Sequence, residues 1–570
     1  MGRGAGGLGE GGRRVRDEGD PAAIAEADIE AAERLMGVAY TAAERAQMAG
    51  NLGGQIASAL ARRAVAMPND LAPATRFDPR PPGFAMPAQP PLRWAPPDAG
   101  PLPEDEAGIA FATVPRLAGW IASGALTSRR LTEICLARIE RANGRLLCFA
   151  ALDPERSLAE ADAMDALTRA GVSLGPLHGL PYGLKDLFDA RGWPTGWGAE
   201  LFAGRVAEAD AAVVRRLRAA GAVLLGKTTV GALAYGDIWH GGTTRNPWNP
   251  EEGASGSSAG SASAVAAGLC AFAIGTETLG SITSPSQRCG TTGLRPTFGR
   301  VSRAGGMSLC PSLDKVGPIA RGVEDCALVL AALNGFDEAD RSSIAAPFGF
   351  DTRASLDGLR LGYLPSAFEE EGATAVDRAA LEAARALPGV RLVEASLPDL
   401  PYGSLINLLY AEAAALFEDL TLSGEDDRLA WQEDGAWPNT FRKARFLSAV
   451  DHVQLDRLRT LVMGALDGLF REVDALIGPI MTGPMLVASN FTGHPCLHLR
   501  AGFLDLPARG RASLGAGRLD TGEAREGATL HTVPAGISLW APLFREDRLI
   551  ALGIALERAL GVAARRPPEP

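Results

Sequence analysis

The sequence predicts an α/β protein in which a mixed, mostly parallel central sheet is covered by helices, with a small helical module at the N-terminus. Amphipathic helical patterns alternate with short apolar segments: residues 210–220 are followed by 222–226, and the same order recurs at 257–276. This alternation is typical of helices that cover a sheet with parallel strands. The composition agrees, because 46% hydrophobic and 22% charged residues are ordinary values for a globular enzyme.

Charge, hydropathy and cysteine usage narrow the classes of function. A net charge of -11, without a run of Lys or Arg, argues against general binding to nucleic acid or anionic membranes. No apolar run reaches the ~18 residues of a membrane span. The seven cysteines are scattered and never form CxxC, which indicates reduced thiols. We therefore expect a cytoplasmic protein with no metal and no cofactor, since no His/Cys/Asp/Glu cluster has metal-ligand spacing.

The chain divides into four predicted segments. Residues 1–20 are rich in Gly, Arg and Glu and are expected to be a disordered tail. Residues 21–67 form a helical module of two helices, the second beginning at the capping box Thr41–Glu44. Roughly a dozen prolines make residues 68–107 an extended linker along the surface. Residues 108–562 form the catalytic domain, against which, or against a partner, the small module should pack.

Periodicity and turn residues place the other elements of the catalytic domain. They are a helix capped by Thr127, strands at 146–152, 473–478 and 535–540, helices across 404–470, a surface loop at 503–528 and a final helix at 546–560.

Candidate chemistry is concentrated in residues 252–290, which are crowded with Gly and Ser. The middle of this stretch, 262–275, is an apolar helix-then-strand pattern that should be buried, and a Gly-Ser loop flanks it on each side. Ser257 and Ser281 lie in these loops, where small residues let backbone N–H groups approach a developing oxyanion. The simpler interpretation is that the Gly/Ser runs mark turns.

A lysine in an apolar strand is a further candidate. Lys185 interrupts the apolar segment 179–188, and lysine is rarely buried unless it is paired or functional. Burial would lower its pKa and make the neutral amine a usable base. The alternative is a structural ion pair with Asp186 or Asp189, and this segment alone does not decide between the two.

A serine-hydrolase elbow is an alternative interpretation of the same loop. Residues 256–260 match GxSxG and would make Ser258 the nucleophile. That motif requires a preceding strand, but residues 246–252 contain two prolines, which disfavour a central strand. A downstream histidine is also needed, and no pattern selects one from three nominees, His494, His498 and His531.

Three ordered segments together resemble the amidase signature family of serine hydrolases. Residues 179–186 are similar to its catalytic-lysine strand, 256–261 to its Gly/Ser loop, and 275–297 to its nucleophile segment. The resemblance spans residues 108–340 and recurs near 472–560, and it implies the α/β fold of that family.

The resemblance implies a role for each candidate. Ser281 would be the nucleophile, Ser257 the bridging serine that follows a cis peptide bond, and Lys185 the base. This is sensible chemistry, because a serine hydroxyl needs an adjacent proton acceptor and a neutral lysine supplies one without a histidine.

The resemblance assigns the oxyanion hole to four consecutive backbone amides, those of Thr278, Leu279, Gly280 and Ser281. Leu279 stands where the family usually has glycine and is expected to narrow the pocket or alter the loop. Glu277 replaces the usual aspartate, and Thr283 replaces the usual arginine. We therefore expect the charge pair between that arginine and that aspartate to be missing.

The implied function is hydrolysis of a small-molecule carboxamide to a carboxylate and ammonia or an amine. Two alternatives stay open: the glutaminase A-type subunit of a tRNA-dependent amidotransferase, and a catalytically silent scaffold. The N-terminal helices resemble small accessory proteins of such enzymes, which favours a stand-alone enzyme, with a homodimer as the default assembly. Pocket walls are expected from the 404–470 helices and from four aromatic residues, Trp193, Trp197, Tyr235 and Trp239.

Overall fold

The computed structural model describes residues 24–94, 98–510, 513–515, 518–520 and 529–569. The predicted tail, 1–20, lies outside this part of the chain. Within the described ranges, no helix combines the length and the apolar character that crossing a bilayer requires.

The described residues form the following helices: α1 Glu26–Met36, α2 Ala42–Ala49, α3 Leu52–Arg63, α4 Glu106–Ala110, α5 Val114–Ala122, α6 Ser128–Leu146, α7 Pro154–Arg169, α8 Ala212–Ala219, α9 Ala259–Ala266, α10 Thr283–Cys289, α11 Val323–Leu333, α12 Pro365–Glu369, α13 Ala375–Arg385, α14 Ile406–Leu416, α15 Glu418–Ser423, α16 Trp437–Ala444, α17 Ala449–Glu472, α18 Met485–Phe491 and α19 Glu546–Leu560. The strands are β1 Phe149–Leu152, β2 Pro181–Lys185, β3 Val223–Thr228, β4 Ile238–Trp239, β5 Gly242–Thr243, β6 Arg245–Asn246, β7 Asn249–Gly253, β8 Phe272–Glu277, β9 Thr292–Arg295, β10 Lys315–Ala320, β11 Leu359–Tyr363, β12 Val390–Glu394, β13 Ala475–Gly478, β14 Cys496–Leu506, β15 Ser513–Gly515, β16 Arg518–Asp520 and β17 His531–Trp540.

Eleven strands form one mixed sheet in the order β1-β3-β2-β8-β10-β9-β14-β17-β13-β11-β12. The predicted mixed sheet covered by helices is confirmed. The prediction that most strand pairs are parallel is wrong. Parallel pairing is confined to β3-β2-β8 and β13-β11-β12, and the other neighbours are antiparallel. Parallel neighbours need a long crossover, whereas antiparallel ones do not. The long β14-β17 pair has a two-stranded hairpin, β15-β16, between its strands in sequence.

The segment that carries the candidate lysine, β2, is the third strand from one edge of this sheet. Strand β2 is buried along its whole length, between β3 and β8. A strand with helices on both faces needs apolar residues on both faces, which explains the near-continuous apolar run in its sequence. The predicted helix-then-strand pattern at 262–275 is present as α9 followed by β8, both buried. Helices α14, α16 and α17 supply part of a second apolar cluster that lies beside the candidate site.

The N-terminal module has three helices instead of the predicted two. The capping box at Thr41 and Glu44 forms as predicted. The helix then ends at Gly50, and α3 begins after Asn51, because these two residues are poor helix formers. Neither α2 nor α3 has a buried residue, and α3 contacts the catalytic domain through an ion pair from Arg62 to Glu418 at 2.7 Å.

The Pro-rich linker follows the surface of the catalytic domain in an extended form. Its aromatic and polar side chains fix it there: Phe77 packs edge-on against Phe298, with ring centroids 5.2 Å apart. Further along, the Gln89 amide donates to the Phe544 carbonyl at 2.8 Å. The linker is therefore part of the packed structure.

Most predicted elements of the catalytic domain are present within a few residues of their predicted bounds. Thr127 caps α6, accepting a hydrogen bond from the Arg130 amide, and α19 has the predicted bounds. The predicted surface loop at 503–528 needs correction, because β14 continues to Leu506 and pairs with β17. Residues 511–512, 516–517 and 521–528 of that loop lie outside the described residues.

Candidate active site

Lys185 ends strand β2 with its side chain fully buried. Its Nζ lies within hydrogen-bond distance of three hydroxyl oxygens: Ser257 Oγ at 2.8 Å, Ser258 Oγ at 2.9 Å and Thr276 Oγ1 at 2.7 Å. All three partners are neutral. The structure thus places the candidate base directly against the candidate bridging serine.

The carboxylates that would form a structural ion pair with Lys185 are engaged elsewhere. Asp186 accepts from Lys227 Nζ at 3.0 Å, and Asp189 pairs with Arg205 at 2.7 Å. The ion-pair interpretation of Lys185 is therefore wrong. Burial, with no carboxylate in contact within the described part of the chain, disfavours the ammonium form and holds the pKa of Lys185 well below its usual value.

The loop that carries Ser257 passes very close to a neighbouring backbone. The Gly256–Ser257 peptide bond is cis, as the resemblance implies. A Cβ at position 256 would lie 1.9 Å from the Gly236 carbonyl oxygen, so only glycine fits there. Ser257 itself is 1% exposed, with its hydroxyl directed at Lys185.

Ser281 lies beside this loop. Its carbonyl accepts a hydrogen bond from the Ser258 amide at 3.1 Å, and Ser281 and Gly256 line the same cavity. Ser281 is 8% exposed, more than Ser257. Among the described residues, the hydroxyls of Ser257 and Ser281 do not hydrogen-bond to each other. Catalytic hydrogen bonds are often long before substrate binds, so the two hydroxyls remain compatible with a relay.

The segment before Ser281 leaves its amides available. In the described part of the chain, the N–H groups of Leu279, Gly280 and Ser281 have no hydrogen-bond acceptor. Gly280 has a φ of 89°, a conformation that favours glycine. The Thr278 hydroxyl is fixed by donating to Asp314 at 2.7 Å. These backbone N–H groups can therefore donate hydrogen bonds to an oxyanion that develops during a reaction. The Leu279 side chain packs into the second apolar cluster.

Glu277 orders the residues that follow Ser281. One of its carboxylate oxygens accepts from the amides of Ile282 and Thr283, each at 2.9 Å. The other pairs with Arg295 at 2.6 Å, and both side chains are fully buried. The charge pair expected to be missing at position 283 is absent, since Thr283 offers Glu277 only its amide and hydroxyl. Arg295 on β9 supplies a cation that the motif comparison did not indicate. The Arg295 charge and hydrogen bonds outweigh the cost of burial and lower the pKa of Glu277 to about 2.

We expect Glu277→Gln to lower the free energy of unfolding by roughly 3 to 5 kcal/mol, because it leaves the Arg295 charge buried without its partner. The pKa of Glu277 is lowered by folding. Its stabilisation is therefore present above the unfolded-state pKa and is lost as pH falls through that value toward about 2. Urea denaturation at several pH values measures both effects. Glu382→Gln, on an exposed helix surface, is the control; an equal effect in both variants would refute the assignment.

The interpretation with Ser258 as nucleophile requires a histidine beside it, and no histidine among the described residues hydrogen-bonds to the Ser258 hydroxyl. The Ser258 hydroxyl contacts Lys185 and the backbone of Thr276. The strand before it, β7, belongs to a two-stranded hairpin outside the main sheet. The three nominated histidines have partners elsewhere: His494 contacts Thr492, His498 contacts Ser538, and His531 lies against Glu251.

The cavity in front of Ser281, here called the Ser281 cavity, has mostly apolar walls. Tyr235, Leu409 on α14 and Trp437 on α16 line it, so the predicted contribution of the 404–470 helices is present. The other three predicted aromatics are not among its lining residues. Trp193, for example, is buried under Arg156.

Thr276 is a site residue that the motifs did not indicate. It is the residue before Glu277 on β8, so the two side chains point to opposite faces of the sheet. Strand alternation beside a buried lysine was the signal that would have found it.

The comparisons with known proteins agree with this geometry. The model of the family described as Amidase matches residues 130–549. The chain belongs to the amidase signature family. It is 34% identical over 481 residues to the A subunit of glutamyl-tRNA(Gln) amidotransferase from Streptomyces coelicolor, covering 78% of this chain and 95% of that protein.

Solved structures show the same relationship. The peptide amidase of Stenotrophomonas maltophilia is 29% identical with a TM-score of 0.67, covering 80% of this amidase and 98% of that chain. A chain from a vestigial complex, studied for the origins of an s-triazine catabolic enzyme, is 30% identical with a TM-score of 0.69, covering 78% and 98%. The family match and these structures together identify the chain as an amidohydrolase.

Proposed function

We propose that this amidase hydrolyses a carboxamide through an acyl-enzyme on Ser281, with Ser257 and Lys185 as the proton relay. The observation that carries the proposal is the environment of Lys185. Its amine is fully buried, has neutral hydrogen-bond partners, and lies 2.8 Å from Ser257 Oγ. Burial lowers the pKa of a lysine in such a place, so the amine is neutral at a lower pH than usual. The neutral amine can then accept a proton near neutral pH.

The first half of the reaction transfers the acyl group. Lys185 accepts the Ser257 proton while Ser257 accepts the Ser281 proton, and Ser281 Oγ attacks the amide carbonyl carbon. The backbone N–H groups of Leu279, Gly280 and Ser281 stabilise the oxyanion of the tetrahedral intermediate. One such donor typically contributes about 3 kcal/mol to transition-state stabilisation. The proton then returns through Ser257 to the leaving nitrogen, the C–N bond breaks, and ammonia or an amine departs.

The second half releases the carboxylate. Water attacks the acyl carbonyl carbon while the same relay accepts its proton. Collapse of the second tetrahedral intermediate breaks the ester bond, and the relay returns the proton to Ser281. The relay ends each cycle with a neutral lysine and two protonated serines.

A second candidate is the glutaminase subunit of a tRNA-dependent amidotransferase, because curated relatives carry that name. Such a protein would release ammonia to a partner. The N-terminal module and its linker favour the stand-alone enzyme, since they occupy catalytic-domain surface themselves.

Ammonia release from a panel of amides tests the two candidates. The panel contains glutamine, asparagine, short aliphatic amides, aryl amides and urea-like diamides. We expect the purified chain alone to release ammonia from at least one amide other than glutamine. Activity on glutamine only, and only when a co-purifying protein is added back, would favour the amidotransferase function.

A further inference from the structure

The Ser281 cavity alone is too small for an amide substrate. Its volume is about 20 Å³, close to the space that one water molecule needs. A second cavity of about 400 Å³ lies next to it, which is within the usual size range of ligand sites. The two cavities share three wall residues, Ala234, Thr278 and Leu309. Room for most of a substrate therefore exists directly beside the candidate nucleophile.

One wall of the larger cavity does not come from the catalytic fold. It is formed by Asn69–Ala72, the beginning of the Pro-rich linker, so this space is here called the linker cavity. Thr276, which contacts Lys185, also lines the linker cavity. The linker segment and the candidate base thus border one space.

Asn69 fixes this wall to the catalytic domain. Its side-chain amide donates to the Ser308 carbonyl, and its side-chain oxygen accepts from the Ser308 amide, both at 2.9 Å. The neighbouring Leu309 amide donates to Asp314, which also accepts from the Thr278 hydroxyl. The linker is therefore connected through three successive hydrogen-bonded contacts to the segment that leads to Ser281.

We propose that Asn69–Ala72 completes the substrate site: the linker cavity holds the larger part of the amide substrate, and its carbonyl reaches Ser281. Asn69 is then a positioning residue, and Ala72 helps to determine which substrates fit. This inference rests on the proposed role of Ser281. It predicts an enzyme for amides larger than the Ser281 cavity, with the N-terminal segment taking part in their selection.

The test is the rate at which Ser281 is phosphonylated by two fluorophosphonates, one with a methyl and one with a bulky aryl-alkyl substituent. Intact-mass spectrometry measures each rate and peptide mapping locates the adduct. Ala72→Phe fills the linker cavity, so we expect the ratio of bulky to small labelling to fall roughly ten- to hundredfold. Ala74→Phe, an exposed residue two positions further on, is the matched control and should keep the wild-type ratio.

The outcomes separate this inference from the proposed function. An unchanged ratio in Ala72→Phe, with Ser281 labelled normally, overturns the inference and leaves the proposed function standing. Failure to label Ser281 in the wild type overturns the proposed function and with it this inference. Asn69→Ala tests the wall independently of added bulk: we expect slower labelling by both probes, and wild-type rates for both would remove the positioning role.

Discussion

Ser281→Ala is expected to remove amide hydrolysis, with a loss of kcat of at least about a thousandfold. The variant lacks the oxygen that forms the acyl bond, and the neighbouring Ser257 is poorly placed to replace it. Ser257 is almost fully buried and its hydroxyl faces Lys185, whereas Ser281 borders the cavity. Residual activity would come from water attack assisted by the oxyanion amides.

The measurement is ammonia release from the best amide of the panel, together with trapping of the acyl-enzyme. Acid quenching during turnover should leave an added acyl mass on the wild-type peptide that contains Ser281 and none on the variant. Ser284→Ala is the matched control, because Ser284 is also buried and lies three residues further along, with its hydroxyl paired to Ser255. It should keep most of the activity.

A different pattern of losses would indicate a different nucleophile. Ser258 contacts Lys185 at 2.9 Å, so Ser258→Ala is expected to reduce activity by disturbing the base. If Ser258→Ala abolished both turnover and acyl trapping while Ser281→Ala retained them, the GxSxG interpretation would be correct. The location of the trapped acyl group identifies the nucleophile even if both variants are slow.

The candidate triad could be predicted because each member lies in a short motif with its own local signal. Lys185 interrupts an apolar strand, and Ser257 and Ser281 lie in Gly-rich loops on either side of a buried helix and strand. The structure brings Lys185 and Ser257 into contact and places Ser281 beside their loop.

Partners that depend on pairing between distant strands could not be predicted in the same way. The Glu277–Arg295 pair joins two strands separated in the sheet by β10, and neither residue has a local signal for the other. The directions of the strands could not be predicted for the same reason. The helix–strand alternation is local, whereas the antiparallel insertion of β10 between β8 and β9 is decided by tertiary packing. The contact of Asn69 with Ser308 spans the linker and the catalytic domain and has no sequence signal at all.

Lys185→Met is expected to lower kcat by at least about a thousandfold while the fold is retained. Methionine has a similar length and no charge, so it fills the buried site but cannot accept the Ser257 proton. For the wild type, activity requires the neutral amine, so kcat should fall as pH falls through the lowered pKa of Lys185.

Stability distinguishes this role from a structural one. The pKa of Lys185 is lower in the folded than in the unfolded state. Below the unfolded-state pKa, the unfolded chain therefore binds more protons than the folded chain, and burying this lysine costs stability. We therefore expect Lys185→Met to be at least as stable as the wild type near pH 7. The difference should shrink as pH rises toward the usual lysine pKa of about 10.4.

Lys227 supplies the matched contrast. It is equally buried, but it pairs with Asp186 at 3.0 Å. Lys227→Met leaves that carboxylate buried and unpaired, so we expect a loss of roughly 3 to 5 kcal/mol in the free energy of unfolding. Urea denaturation of both variants measures the contrast. If Lys185→Met lost as much stability as Lys227→Met, Lys185 would be a structural cation and the relay would need another base. If Lys185→Met keeps the wild-type stability but loses turnover, then the buried lysine acts in the enzyme by accepting a proton.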